Sequence, residues 1–129
     1  MNSFLVDTDW MADFLNGRNE AVQLLSRLMD QGVAISIITY AELCEGISIL
    51  PDDDRRRSDL ETLSANIDVL GIDHEVARVF GRLRSELRRG GQLIPDMDSL
   101  IAATALRHDL ALISRDRHFE RIPDLKRHP

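Results

Sequence analysis

Short apolar runs alternate with longer stretches of helical period along this chain, and that alternation limits its fold more than any other feature. Phe4-Leu5-Val6, Val33 to Ile38, Ile67 to Ile72 and Leu110 to Ile113 have the length and apolar content of buried strands. Between them, apolar residues recur every three to four positions. This predicts helices from about Asp9 to Leu15, stopped by Asn16-Gly17, and from Glu20 to Met29, ending before Gly32. Thr39 is expected to open a third helix that ends near Pro51. Asp52 to Ser64 sets Leu60 and Leu63 against a charged side. Asp73 to Arg89 turns Val76, Val79, Phe80, Leu83 and Leu87 inward before Gly90-Gly91. A last helix starts at Asp96 or Asp98. Strands alternating with helices predict an α/β fold, a parallel sheet covered on both faces. In such sheets ligands bind at the carboxyl ends of the strands.

The chain of 129 residues has the size of one domain, read as a single unit over 1–129. Its apolar fraction of 43% and charged fraction of 29% are those of a globular protein. No apolar run approaches the roughly 18 to 20 residues that span a bilayer. The start, Met1-Asn2-Ser3, lacks the positive charge of a secretory leader, and the lone Cys44 excludes an internal disulfide. A cytoplasmic location, with no membrane association, is the expectation. The formal charge of −6 argues against nucleic acid as a partner, since polyanion binders usually present positive faces. Fifteen of the sixteen basic residues are Arg, however, the side chain suited to forked phosphate contacts. Two bound divalent cations would add four positive charges and bring −6 to −2. Net charge therefore leaves the question open.

Four acids stand where the alternation puts strand ends. Asp7 follows the first strand and Asp116 lies three residues beyond the last. Glu42 falls in the first turn of the helix after the second strand, and Asp98 in the first turn of the helix before the fourth. Each has a local alternative. Thr39-Tyr40-Ala41-Glu42 has the form of a capping box. Asp98 suits a helix N-terminus, and Ser114-Arg115-Asp116-Arg117 suits a turn with local ion pairs. Asp7, directly after a buried run, needs a named partner. Together, four carboxylates at one sheet edge repel one another unless protons or cations compensate. Oxygen ligands of this kind favour a hard cation, Mg²⁺ or Mn²⁺.

Four segments, in order, carry a resemblance: Phe4-Leu5-Val6-Asp7-Thr8-Asp9, Thr39-Tyr40-Ala41-Glu42-Leu43, Asp98-Ser99-Leu100-Ile101-Ala102-Ala103-Thr104-Ala105-Leu106, and Leu112-Ile113-Ser114-Arg115-Asp116-Arg117-His118-Phe119. The chain resembles PIN-domain ribonucleases of the VapC toxin type. The resemblance implies a three-layer α/β/α fold with a central, mostly parallel sheet of four to five strands. It implies cleavage of RNA with one or two Mg²⁺ or Mn²⁺ ions, a VapB-like antitoxin partner and a homodimer. Asp7, Glu42, Asp98 and Asp116 fall on the family's acidic positions, as catalytic residues and metal ligands. Thr8 matches a small hydroxyl residue beside the first acid, and Ser114 a place often held by Thr that can orient the fourth. Asp96 is left as a helix cap or as an acid standing behind the ligands.

For gripping RNA, the candidates are Arg115 and Arg117, which flank the fourth acid, and the long-helix cluster that includes Arg82 and Arg89. An Arg-rich helix is equally the composition of a solvated face. Arg55-Arg56-Arg57 after Asp52-Asp53-Asp54 suggests local pairing. His74, His108 and His118 show no ligand spacing and are read as surface or satisfied histidines. Trp10, Met11, Phe14 and Leu15 form an apolar stripe assigned to the core, part of which an antitoxin or a dimer mate could cover. Two rivals remain: a haloacid-dehalogenase-like phosphatase opening on Asp7-Thr8-Asp9, which would need a phosphate-holding Lys where the only Lys is Lys126, and a degenerate PIN module that only binds.

Overall fold

The computed structural model describes residues 1–128. Five parallel strands form one sheet in the order β3-β2-β1-β4-β5: β1 is Phe4–Val6, β2 Val33–Ser36, β3 Asp68–Leu70, β4 Ala111–Ile113 and β5 Arg127–His128. Six α-helices intervene: α1 Thr8–Leu15, α2 Asn19–Leu28, α3 Ile37–Ser48, α4 Arg55–Asn66, α5 His74–Arg89 and α6 Asp96–Arg107. The expected α/β architecture is present, and the sheet is parallel throughout.

Alternation along the strands sorts the core into two layers. Val6, Ile35 and Ile113 join Met11, Leu25 and Leu43 on one face, while Leu5, Ala34 and Leu112 join Leu83, Ile101 and Phe119 on the other. Successive strand side chains point to opposite faces, so a run buried on both sides is apolar throughout. Trp10, Met11 and Leu15 lie in the first layer, as the apolar stripe suggested. β1 enters the sheet under a tight constraint. Gly32 has φ +86°, and its carbonyl accepts from the amides of Ser3 and Phe4. A Cβ there would meet the Met1 carbonyl oxygen at 2.2 Å, so the position requires glycine.

Three boundaries differ from the sequence expectation. α3 begins at Ile37, capped by the Ser36 hydroxyl, which accepts from the Ile38 amide. Thr39 therefore lies inside the helix, fully buried, and the capping-box alternative for Glu42 does not hold. Ile67 to Ile72 pairs only over Asp68–Leu70. β5 and a 3₁₀ turn over Arg117–Arg121 were not foreseen: neither carries apolar periodicity, and both depend on β4 and on the burial of Phe119.

A candidate metal centre at the carboxyl edge of the sheet

Three N-terminal turns converge where β1, β2 and β4 end. Asp7 caps α1: it is 6% exposed, and its Oδ1 accepts from the Thr8 amide at 2.8 Å. The Ser114 hydroxyl, just past β4, donates to Asp7 Oδ2 at 2.6 Å and accepts from the Asp116 amide at 3.0 Å. One serine thus ties the first acid to the backbone of the fourth. Burial pushes the Asp7 carboxyl above its usual value, against the Ser114 and Thr8 hydrogen bonds that favour the anion; Asp98 and Asp9 add repulsion in the same direction as burial.

Glu42 lies in the second turn of α3, not the first. Thr8 Oγ1 donates to Glu42 Oε1 at 2.7 Å and lies 3.2 Å from Thr39 Oγ1. Having given its one proton to the carboxylate, Thr8 is left to accept from Thr39. Asp7 and Glu42 are therefore linked through one residue, the first by the Thr8 amide and the second by its hydroxyl.

Asp98 is the third residue of α6 and Asp116 caps the 3₁₀ turn, where its Oδ1 accepts from the His118 amide at 2.9 Å. The His118 ring joins them: Nδ1 lies 2.9 Å from Asp98 Oδ2 and 3.1 Å from Asp116 Oδ1. Among the described residues, Asp98, Asp116 and His118 each offer a ligand atom within 4.8 Å of the others. Asp7 and Glu42 stand outside that group, attached to it through Ser114 and through charge. The four acids are thus held as two linked pairs. Helix dipoles at the starts of α1 and α6 offset part of their repulsion.

His118 is satisfied, as expected, but it is also part of the centre. Its position two residues after Asp116 was the available signal, masked because neither acid partner is at a helical ligand spacing from it. Asp96 is not the cap of α6. It is the first residue of α6, after Pro95, and pairs with Arg84 at 2.9 Å with its side chain 77% exposed. Arg84 also donates to the Ile94 carbonyl at 2.5 Å, which fixes the approach to α6.

The arginines divide. Arg115 is committed elsewhere: its guanidinium lies 3.8 Å over the Trp10 ring and pairs with Asp13 at 2.8 Å. Arg117, exposed and 3.8 Å from Glu120, is loosely held beside Asp116. Arg82 borders a groove of about 440 Å³ between α5 and the Ile122-Pro123 segment, to which none of the four acids contributes. Arg89 is exposed in the last turn of α5. Arg55, Arg56 and Arg57 pair locally with Asp59, Asp54 and Asp52, as anticipated.

The donor set suits a divalent cation. It offers carboxylate oxygens in excess of their hydrogen-bond donors, with one imidazole and no thiolate, the chemistry of Mg²⁺ and Mn²⁺ more than of Zn²⁺.

The PIN domain family model matches residues 4–125. Ribonuclease VapC19 of Mycobacterium tuberculosis is 34% identical over 128 residues, covering 95% of this chain and 96% of that protein. The DNA-bound VapBC structure from Salmonella typhimurium superposes with a TM-score of 0.87 at 27% identity, covering 99% of this chain and 98% of that one. VapBC2 from Rickettsia felis, bound to a DNA fragment from its promoter, gives 0.86 at 26% identity over 97% and 96%. With the strand order, the acids at the sheet edge and these likenesses in agreement, the chain belongs to the PIN-domain family, in its VapC ribonuclease branch.

Proposed function

We propose that this protein is a metal-dependent endoribonuclease acting as the toxin of a toxin–antitoxin pair, with Asp7, Glu42, Asp98 and Asp116 as its working carboxylates. The observation that carries the reading is the convergence of these acids at the carboxyl edge of the sheet, each held by a specific donor. Mg²⁺ or Mn²⁺ held there, as one ion or two, supplies Lewis acidity, which makes water a better nucleophile and offsets charge at the phosphodiester.

The chain's own residues set the geometry. Ser114 fixes the rotamer of Asp7 and keeps one of its oxygens directed away from the Thr8 amide. Thr8 holds Glu42 as an acceptor, so that its second oxygen is available to take a proton from an attacking water. His118 keeps Asp98 and Asp116 together. Arg117, free to swing on the exposed turn, is placed to meet a phosphate next to the one attacked. Arg82 and Arg89 lie on α5, away from the acids, and would contact only RNA extending beyond the cleavage site.

The haloacid-dehalogenase alternative loses its remaining support. Lys126 pairs with Asp109, which precedes β4 at the opposite edge of the sheet from Asp7. A binding-only module would have no use for four acids that no Lys or Arg among the described residues neutralises.

A VapB-like antitoxin is the partner this reading gives the chain, supported by its likeness to the solved VapBC complexes, and a homodimeric toxin is part of the same proposal. A groove of about 170 Å³ runs from Thr8 and Glu42 past Leu15 and Ile47 to Arg56, and offers an extended partner segment a route to the acids. No described helix is long and apolar enough to cross a membrane, and a cytoplasmic location suits an enzyme of cellular RNA.

The test is cleavage of structured cellular RNA by wild type and by Asp98→Asn, with Mg²⁺ or Mn²⁺ and with chelator. Cleavage by the wild type that needs the metal and is lost in Asp98→Asn supports the reading. Equal rates in the two proteins, or cleavage in chelator, would remove it.

A further inference from the structure

We infer that His118 is itself a metal ligand, completing a two-carboxylate, one-imidazole triad with Asp98 and Asp116 that favours Mn²⁺ over Mg²⁺. The inference rests on the metal-dependent reading above and deepens it.

Three observations carry it. Nδ1 of His118 faces both acids at nearly equal distance, 2.9 and 3.1 Å. A single ring N–H can donate well to only one of them. Ligands in adjacent positions of an octahedral ion, at about 2.1 Å from it, lie about 3.0 Å apart. Both are hydrogen-bond distances while Nδ1 carries its proton, and both are short enough for the three side chains to share a cation once it does not.

The imidazole is also delivered rigidly and left accessible. The His118 amide is bound to Asp116 Oδ1, the next residue, Phe119, is fully buried, and the His118 side chain remains 40% exposed.

The ligand types set the preference. Mg²⁺ holds its waters tightly and takes carboxylate oxygen, whereas imidazole nitrogen raises affinity for first-row transition ions. Replacing one water or carboxylate by His118 therefore separates two cations that an all-carboxylate centre would bind alike.

Bound Mn²⁺ reports this directly. Pulsed paramagnetic resonance of the Mn²⁺-loaded full chain is expected to show ¹⁴N modulation from a coordinated imidazole, absent in His118→Gln. Competition against Mg²⁺ is expected to give a preference for Mn²⁺ of about tenfold or more, which collapses in the variant. Asp98→Asn is expected to lose the bound ion. Mn²⁺ bound to wild type without ¹⁴N coupling would overturn the inference while leaving an all-carboxylate metal centre intact. An unchanged Mn²⁺/Mg²⁺ ratio in a folded His118→Gln would do the same. Wild type that binds neither ion would remove the metal-dependent reading itself.

Discussion

The two pairs of acids manage their charge in different ways. Asp7 and Glu42 are held by hydroxyls and an amide: Ser114 and the Thr8 amide on the first, the Thr8 hydroxyl on the second. Asp98 and Asp116 share one imidazole, with the His118 amide also on Asp116, and both are more open to solvent than Asp7. The first pair is built into the sheet and helix starts, and its cost is burial, which raises the Asp7 carboxyl. The second sits on a helix turn and a 3₁₀ turn, where a side chain can shift to meet an ion. The contrast suggests a fixed half that sets geometry and an adjustable half that selects the cation.

The largest effect expected is on the fixed half. Asp7→Asn should lower RNA cleavage by about a thousandfold, as loss of a preorganised charged group at a reacting centre does. The same substitution should stabilise the metal-free protein, and the sign follows from linkage. Asp7 has a carboxyl raised in the folded state above its usual 3.8, so the contribution of its protonated form is fully present below that value. It is lost as pH rises through the folded-state value. The metal-free wild type should therefore lose stability from about pH 4 upward relative to Asp7→Asn, and at pH 7 the variant should be the more stable of the two. Thermal unfolding across that range checks both; a variant less stable than wild type at pH 7 would mean that the hydrogen bonds outweigh burial.

Removing the two hydroxyls compares the acids within that half. Ser114→Ala should cut cleavage by tens-fold, because it leaves buried Asp7 with one donor and also frees the Asp116 amide. Thr8→Val should cost less, since Glu42, less buried than Asp7, can replace the lost bond with water. Equal losses would show that the burial difference between the acids is irrelevant to catalysis.

The smallest effects separate the arginines. Arg117→Ala should raise the apparent KM for RNA a few-fold with little change in kcat, the signature of a phosphate contact. Arg115→Ala should leave both unchanged and lower the stability by about 1 kcal/mol, since its guanidinium lies over Trp10 and pairs with Asp13. A KM effect confined to Arg115 would reverse the assignment.

The strand–helix alternation was legible because burial on both faces leaves no polar position in the central strands β1 and β4: Leu5, Val6 and Leu112 are all fully buried. Asp7 was legible for the complementary reason, as the first charge after such a run. Thr39 misled, since Thr-x-x-Glu is both a capping box and an ordinary helix interior; the true cap, Ser36, lies where the strand was expected to continue. β5 has two polar residues and becomes a strand only because β4 offers a free edge.

What the sequence determined by itself is the layered fold and the placement of four acids near its carboxyl edge, because periodicity is a local property of the chain. What only the tertiary structure decided is who holds each acid: Ser114 across 107 positions from Asp7, Thr8 across 34 from Glu42, and His118 across 20 from Asp98. Those pairings arise where separate helix and strand ends meet, and no pattern along one segment records which side chain arrives from another. Asp96 and Asp98 illustrate the division: two residues apart on one helix, they face different partners, Arg84 and His118, and only packing tells them apart.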